Sequence, residues 1–399
     1  MKDEKKAPKL RFKGFTDDWE QCKLGDVCDV YDGIHHTPDY QDNGIMFLSV
    51  ENISTLTSDK FVSRDFFEQN YKIFPEKGDI LLTRIGNVGT PNVVESTDKL
   101  AYYVSLALLK APKINSYFLC NLICTQEFKK ELHRKTLTTA IPQKINKDEI
   151  RKITFFDSTS SDERKKIGSL LEKINFTITL HEEKKQQLKC LKSALLQKMF
   201  AYKNKSGDPD VRFKGFDERW ERHMLNDLAI FNPKGTLPTS FEYVDLGSVI
   251  GVEMISHKTI SKFDAPSRAQ RLAQVGDLFY QTVRPYQQNN YLFDNKDNAY
   301  VFSTGYAQLR PLIDGYFLLC LVQTKSFVRK VMNACTGTSY PAINSQDLAQ
   351  IGVNIPINSK EQRLIGNLYK VIDNLIMLYQ QKLDDLNTIK QSLLQKMFI

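Results

Sequence analysis

The pentapeptide RFKGF occurs twice in the chain, at Arg11–Phe15 and at Arg212–Phe216. TDDWEQCKL follows the first copy and DERWERHML follows the second, so Trp19 and Trp220, the only two tryptophans, stand in the same register. A match that extends this far beyond five residues is too extensive for chance. The chain therefore consists of two related halves.

A second shared motif, LLQKMF, closes each half, at Leu195–Phe200 and at Leu393–Phe398. Apolar residues recur every three or four positions before each copy, and neither stretch contains proline. This heptad pattern predicts one helix of roughly 40 residues per half. If the two helices pair, an antiparallel arrangement is the economical one, because each helix links a block at one end to the start of the other half. The predicted seam comprises Ile167, Leu171, Ile174, Ile178, Leu188, Leu195 and Met199 in the first helix, and Ile365, Tyr369, Ile372, Ile376, Leu383, Leu386, Leu393 and Met397 in the second.

Divergent blocks lie between these flanks, over about residues 20–158 and 221–357. In the first block IMFLSV, GDILLTRIG, PNVVE and LAYYVSLALLKA predict short strands separated by turns, and GDLFYQTVRP and AYVFSTGYAQLRP follow the same order in the second. SYFLCNLICTQEFKKELHR and GYFLLCLVQTKSFVRKVMN each predict one amphipathic helix. Each block is therefore expected to form an α+β domain.

The composition of the 399 residues is that of a globular protein, with 41% hydrophobic and 26% charged residues. The sequence shows neither a secretory leader nor an apolar run of membrane-spanning length, which predicts a cytoplasmic protein. Seven cysteines without a CxxC pair indicate reduced, packed thiols and no metal site. A formal net charge of +8 fits a polyanionic partner.

The motifs that suggest chemistry are all incomplete. FNPKG at Phe231–Gly235 lacks the second proline and the aromatic residue with which an amino-methyltransferase grips a flipped base, and no phosphate-binding P-loop is present. RIGNVG at Arg84–Gly89 lacks a third glycine at dinucleotide spacing and is interpreted as a tight turn. His35 and His36 are neighbours, which point to opposite faces of a strand, so they indicate a polar loop. No catalytic residue is expected.

Four loops combine cations, amides, hydroxyls and aromatic rings: TRIGNVGTPN and HRKTLTTAIPQKIN in the first block, QTVRPYQQNNY and TGTSYPAIN in the second. Arginine suits guanine edges, asparagine and glutamine suit adenine, and lysine, threonine and tyrosine suit phosphates. Together these loops indicate a binding surface. The alternative that they are solvated connections stays open.

Two variable blocks, each introduced by RFKGF and closed by a helix ending in LLQKMF, resemble the specificity subunit of type I restriction-modification systems. The resemblance covers essentially the whole chain and includes the paired strands GDILLTRIGNVG and GDLFYQTVRP and the paired helix starts DERKKIG and KEQRLIG. It implies an α+β fold, with two tandem α/β target-recognition domains separated by two long antiparallel coiled-coil helices in a pseudo-twofold repeat. The expected divisions are residues 1–160 for the first recognition domain, 161–203 for the first spacer helix, 204–358 for the second domain and 359–399 for the second helix.

The resemblance further implies a non-catalytic subunit that reads a bipartite, asymmetric target in double-stranded DNA, one half per domain. Two modification subunits using S-adenosylmethionine would methylate adenine, and restriction subunits using ATP and Mg would form the nuclease. No cofactor is expected in this chain, and no membrane partner. The expected DNA-binding residues are Arg84, Asn87, Thr138, Thr139, Lys144, Arg284, Tyr286, Gln287, Asn289, Asn290, Ser339 and Tyr340, and the expected partner-binding residues are Phe176, Leu180, Tyr379 and Leu386.

Two other classes of protein remain as alternatives. A duplicated coiled-coil scaffold that does not bind DNA explains the helices, but not why the loops differ while their frames agree. A stand-alone DNA-binding regulator lacks a helix-turn-helix signature. RFKGF itself is identical in both halves, so it is expected to be structural and to pack Phe12, Phe15 and Trp19, like their counterparts, where a recognition domain meets a long helix.

Overall fold

The computed structural model of the chain describes residues 6–200, 209–337 and 339–399, which form two compact units. The first unit contains the described residues up to Glu182 together with Gln381–Ile399, and the second contains those from Glu183 to Gln380. Among the helices of these ranges, none has both the length and the apolar character needed to cross a membrane.

The first unit is built on three antiparallel or mixed sheets. A four-stranded sheet has the order β2-β8-β5-β6, a three-stranded sheet has the order β4-β3-β7 with β3 and β7 parallel, and β1 pairs with β9. The strands are β1 Glu20–Lys23, β2 Asp29–Asp32, β3 Ile45–Leu48, β4 Phe61–Val62, β5 Ile80–Thr83, β6 Pro91–Val93, β7 Leu100–Tyr102, β8 Leu106–Lys110 and β9 Thr154–Asp157.

The second unit repeats this topology strand for strand and adds β16 and the hairpin β13-β14. Its sheets have the orders β11-β20-β17-β18, β15-β12-β19-β16 and β10-β21. The strands are β10 Glu221–Met224, β11 Ala229–Phe231, β12 Ser240–Val244, β13 Val249–Ile250, β14 Glu253–Met254, β15 Lys258–Ser261, β16 Ala269–Leu272, β17 Leu278–Gln281, β18 Tyr291–Leu292, β19 Tyr300–Ser303, β20 Tyr306–Pro311 and β21 Gly352–Ile355.

The helices of the two units correspond as well, with a counterpart in the second unit for all but one helix of the first. The short helices are α1 Leu24–Val27, α2 Arg64–Asn70, α3 Ser116–Ile123, α4 Gln126–Lys135 and α5 Lys147–Arg151 in the first unit, and α7 Leu225–Leu228, α8 Gly315–Val322, α9 Lys325–Ala334 and α10 Ser345–Ala349 in the second. The two long helices are α6 Ser161–Met199 and α11 Ser359–Met397, each of 39 residues. Single turns of 3-10 helix cover Val50–Asn52, Leu246–Ser248 and Pro285–Gln287.

The expectation of one amphipathic helix after β8, and of one after β20, is wrong. Each stretch is a pair of helices, α3 with α4 and α8 with α9, because a threonine ends the first helix and caps the second. The Thr125 hydroxyl donates to the Leu122 carbonyl at 2.7 Å and accepts from the Phe128 amide at 3.3 Å. Thr324 makes the same two bonds in the second unit. A side-chain oxygen that satisfies a free amide in this way favours a new helix start.

The long helices confirm the predicted seam. In the first unit Ile167 and Leu171, near the start of α6, share a core with Leu394 and Met397, near the end of α11, so these two segments run antiparallel. In the second unit Met199 joins the core that contains Ile365 and Tyr369, from the opposite ends of the same helices. The predicted seam residues are all buried or half-buried. The four-part division of the chain stays a prediction, and residues 201–203 of the expected first spacer helix lie outside the described ranges.

Each RFKGF motif supplies an ion pair to the start of a long helix. The Arg11 guanidinium donates through Nε and Nη2 to the two carboxylate oxygens of Glu163, at 2.7 and 2.8 Å, and Trp19 Nε1 donates to the same carboxylate at 3.1 Å. Arg212 and Glu361 repeat the pair, at 2.9 and 2.7 Å. Glu163 and Glu361 are both buried, so the pair joins the two ends of a recognition block.

Phe12 and Trp19 pack as expected, as do their counterparts Phe213 and Trp220, whereas Phe15 and Phe216 are only half-buried. Trp19 is buried with its ring centroid 5.8 Å from that of Phe118, and Phe12 packs against the same core. In the second unit the ring centroids of Trp220 and Phe317 lie 6.1 Å apart. The structural interpretation of RFKGF is confirmed, and the arginine proves to be as much a part of it as the rings.

Candidate DNA interface

The first unit brings two distant loops together. The turn after β5, residues 84–90, lies against the loop after α4, residues 136–145, through an isolated bridge between Ile85 and Lys144. The Gly86 amide donates to the Gln143 carbonyl at 2.8 Å, and the Ile145 amide donates to the Arg84 carbonyl at 2.9 Å. We call these two loops the first loop pair.

The second unit joins the equivalent loops in the same way. The turn after β17, residues 282–290, lies against residues 336–337 and 339–343 through a bridge between Val283 and Ala342. The Arg284 amide donates to the Pro341 carbonyl at 2.8 Å, and the Ile343 amide donates to the Thr282 carbonyl at 3.0 Å. We call these the second loop pair. All four loops selected from the sequence therefore meet, two by two, at corresponding places in the two units.

The first loop pair exposes four of the five residues expected to bind DNA in this unit. The exposed residues are Asn87, Thr138, Thr139 and Lys144. Arg84 is instead buried, where it pairs with Asp32 and donates through Nε to the Ile145 carbonyl at 3.1 Å. This places Arg84 beneath the loops as a support for them, with its guanidinium engaged inside the unit.

The second loop pair divides its expected residues between surface and interior. Exposed side chains are those of Tyr286, Gln287, Ser339 and Tyr340, and those of Arg284 and Asn289 are half-buried. Asn290 is buried and accepts from the Gln281 amide at 2.8 Å. Gln287 Oε1 also accepts from Gln281 Nε2 at 2.8 Å, and Asn289 Oδ1 accepts from the Gly251 amide at 2.8 Å. The amides of this turn thus hold its shape.

The hydrogen bonds show that Arg84 and Arg284, which both follow an apolar strand in the sequence, do not occupy equivalent positions in the two units. Arg84 and Thr282 occupy equivalent positions, because the carbonyl of each accepts a hydrogen bond from the amide of the isoleucine that ends the other loop of its pair. Gly86 and Arg284 are likewise equivalent, because the amide of each donates to a carbonyl of the other loop of its pair. Gly86 and Arg284 both have positive φ, 82° and 54°. Arg84 and Arg284 are therefore not counterparts, and the residues that sequence reasoning missed are the backbone partners Gln143 and Pro341.

The surface of each loop pair offers donors and acceptors without a catalytic arrangement. Hydroxyl, amide and cationic groups are the ones that contact base edges and phosphates. In the described part of the chain no three histidine, cysteine, aspartate or glutamate side chains cluster closely enough to hold a metal ion. The thiols are unpaired there, and burial raises the pKa of Cys28 to about 12. A thiol with such a pKa is a poor nucleophile at neutral pH.

Residues 16–190 and 218–388 match the family model of the type I restriction modification DNA specificity domain. The chain belongs to this family. Each matched range includes its own loop pair, so the repeat that is visible in RFKGF is a duplication of this domain. Specificity subunits of type I systems are non-catalytic, which confirms the expectation that the chain is not an enzyme by itself.

Two comparisons with individual proteins agree with the family. The chain is similar to the type I restriction enzyme MjaVIII specificity subunit of Methanocaldococcus jannaschii, with 24% identity over 192 residues. That match spans 45% of this chain and 45% of the relative. The crystal structure of the S subunit of a type I restriction-modification system from M. genitalium shares the fold, with a TM-score of 0.68 and 14% identity over 98% of this chain and 99% of that one. The predicted fold class of tandem α+β blocks with long antiparallel helices is confirmed.

The residues expected to bind partner subunits lie on the two long helices of this specificity-domain chain. Phe176 is 70% exposed and Leu180 is 43% exposed, although both are large apolar side chains. Tyr379 and Leu386 are half-buried. Aromatic residues, phenylalanine among them, are enriched in protein–protein interfaces. The partner-binding role of these four residues stays a prediction.

Proposed function

We propose that the chain is the subunit that gives a type I restriction-modification system its DNA specificity. Each loop pair reads one half of a bipartite, asymmetric target in double-stranded DNA. The chain thereby directs adenine methylation and restriction, which other subunits carry out, to that target.

The observation that carries this proposal is the contrast between frame and loops. The order of the strands that the two units share, the Arg–Glu ion pair and the bridge between the loops are the same in both units. The residues presented by the loops differ, with RIGNVGT in the first turn and TVRPYQQNN in the second. A frame that is kept while its presented residues change is what two readers of different sequences require. A scaffold that only positions proteins gives no reason for this difference.

The chemistry of the complete system is assigned to the partners. Two modification subunits with S-adenosylmethionine would methylate adenine, and restriction subunits with ATP and Mg would cut. The exposed Phe176 and Leu180, with Tyr379 and Leu386, are the proposed contacts for the modification subunits. The cationic excess of the chain, formally +8, favours the approach of DNA to this assembly.

The test is to co-express the chain with the modification subunit of its own system and map methylated adenines over the host genome. The proposal predicts one motif in two parts with a fixed gap. Binding of the purified complex to duplex DNA should also weaken steeply with salt, because phosphate contacts release counterions. Absence of any motif together with salt-independent, weak binding favours the scaffold instead.

A matched pair of variants connects the motif to the loops. Asn87→Ala changes an exposed residue of the first loop pair, and Tyr286→Ala changes an exposed residue of the second. Each is expected to relax one half of the motif and to leave the other half unchanged. If both variants affect both halves equally, the loop pairs are not separate readers.

A further inference from the structure

We propose that Arg284, stacked on Tyr340, reads a guanine in the half-site bound by the second unit. This inference rests on the proposed function and adds the identity of a base and of the group that recognises it. It also implies that the two units read by different means, because the first loop pair has Gly86 at the corresponding place.

The backbone of Arg284 is strained, and the strain is peculiar to the second unit. Its φ of 54° and ψ of 55° lie in the left-handed region, which costs a residue with a side chain more than it costs glycine. The next residue is Pro285, and a residue before proline disfavours helical backbone angles. Gly86 meets the same requirement without a side chain, with φ of 82°. An arginine in a position that suits glycine indicates that its side chain serves a purpose there.

The Arg284 side chain is held by an aromatic ring. The guanidinium carbon lies 4.3 Å from the centroid of the Tyr340 ring, and that ring is 64% exposed. Stacking on a ring fixes the plane of a guanidinium while its N–H groups stay free at the edge. The stack also joins the two halves of the second loop pair, since Arg284 and Tyr340 belong to different loops.

The guanidinium has no carboxylate partner among the described residues. Arg84 pairs with Asp32 inside the first unit, and Arg310 pairs with Asp277 in the second. Arg284 is thus a cation that the unit orients and does not neutralise. Its charge and donors are left for a ligand.

The turn that carries Arg284 is rigid. Gln281 Nε2 donates to the Val283 carbonyl at 2.7 Å, and Gln288 Nε2 donates to the Gln323 carbonyl at 2.6 Å, while Gln323 Nε2 donates back to Gln288 at 2.9 Å. These bonds fix the backbone on both sides of the arginine. A rigid, planar fork with two adjacent donors matches the O6 and N7 acceptors of guanine in the major groove. A phosphate contact requires only a cation, and neither a stack nor a strained backbone.

The test compares Arg284→Gly and Arg284→Lys with the wild-type chain, each co-expressed with the modification subunit, by mapping methylated adenines. Glycine is the residue of the first unit at this place and relieves the backbone strain, so the variant is expected to fold at least as stably as the wild type. Lysine keeps the charge, but its ammonium is a point charge on a flexible stem and lacks the planar fork that the Tyr340 ring orients. Both variants are expected to accept any base pair at one G·C position of one half-site, with discrimination there reduced roughly 10- to 100-fold. The other half-site is the internal control.

An atomic version of the test uses the purified complex and a duplex in which 7-deazaguanine replaces that guanine and removes the N7 acceptor. The wild-type complex is expected to lose affinity for the modified duplex, and the Arg284→Gly complex is expected to bind both duplexes equally. Tyr340→Ala should behave like Arg284→Gly, because the ring holds the guanidinium.

Three results overturn the inference. An unchanged motif in Arg284→Gly shows that the residue reads nothing. Uniformly weaker methylation that Arg284→Lys restores shows a phosphate contact. Equal loss on 7-deazaguanine in wild type and variant shows that another residue contacts N7. Failure of the proposed function is distinguished from these, because it removes the two-part motif from the wild-type chain itself.

Discussion

Replacing Arg11 by methionine is expected to destabilise the first unit by about 3 kcal/mol. The carboxylate of Glu163 is fully buried, and four donors surround it: Arg11 Nε and Nη2, Trp19 Nε1 and Ser158 Oγ, at 2.7, 2.8, 3.1 and 2.5 Å. Removing one partner of a buried ion pair costs roughly 3 to 5 kcal/mol. Because two neutral donors remain, we expect the lower end of that range.

The assay is urea unfolding followed by tryptophan fluorescence in a Trp220→Phe background, so that the buried Trp19 reports the first unit alone. With a slope of about 2 kcal/mol per M, a loss of 3 kcal/mol lowers the midpoint by roughly 1.5 M. Arg134→Met is the control: its side chain is 72% exposed and pairs with Glu131, and an exposed pair contributes at most about 1 kcal/mol.

Adding Glu163→Leu to Arg11→Met is expected to recover part of the loss, because the unpaired buried charge is then removed. Recovery is incomplete, since Trp19 and Ser158 lose their acceptor. If Arg11→Met and Arg134→Met lower the midpoint equally, the buried pair does not stabilise the unit more than an exposed pair does.

Four further predictions concern Gly366, the first loop pair, Phe176 and the titration of Glu163. Gly366→Ala should destabilise the second unit by about 1 to 3 kcal/mol in urea unfolding, because the new Cβ would collide with the Asp314 side chain that caps α8. At an uncrowded helix position the same change from glycine to alanine would stabilise the unit by about 0.5 to 1 kcal/mol. Arg84→Met should cost about 1 to 3 kcal/mol of stability, because the Asp32 carboxylate left behind is partly exposed and keeps Lys147 at 3.9 Å. Asn87→Ala should change stability by less than about 0.5 kcal/mol and weaken binding to duplex DNA. Phe176→Glu should leave the urea midpoint unchanged and prevent co-purification of the modification subunit; normal co-purification contradicts the assigned contact. Burial raises the pKa of Glu163, but the hydrogen bonds from Arg11, Ser158 and Trp19 outweigh burial and hold the pKa below the usual range. The ionised carboxylate therefore stabilises the folded state fully above about pH 4.3, and this stabilisation is lost as the pH falls through the lower pKa of the folded state. Glu163→Gln should flatten the plot of unfolding free energy against pH in this acid range.

Much of the fold was accessible from the sequence because its signals are local. The heptads of α6 and α11 and the short apolar strands depend on neighbours within a few residues. The break between α3 and α4 was local too. Thr125, followed three residues later by a buried phenylalanine, is a helix-start signal that the long apolar run around it obscured.

The partners of the RFKGF arginine were less accessible. Arg11 and Glu163 were both visible as repeated residues, yet 152 positions separate them and no pattern in the chain pairs them. Only the fold shows that a repeated cation and a repeated anion meet. The same limit applies to the loop pairs, since the bridge between Ile85 and Lys144 joins segments that no periodicity connects.

The candidate site was predictable as a set of loops and not as a set of side chains. Arg84 and Arg284 look alike in the sequence because each follows an apolar strand. In the structure one residue is buried against Asp32 and the other is stacked on Tyr340. Burial and backbone angle decide which arginine is presented, and neither quantity is encoded in a short motif. Counting from the glycines that precede the strands, Gly78 and Gly276, gives the correct correspondence.

The end of α11 completes the core of the first unit, and this affects the order in which the two units can fold during synthesis. Leu394, Met397 and Phe398 belong to the core around Trp19, so nearly the whole chain must leave the ribosome before that core can be complete. The second unit, which is contained in residues 183–380, has all its residues earlier. The unit that is translated first is therefore the last to be finished, and loss of residues 394–398 would damage the first unit while leaving the second one whole.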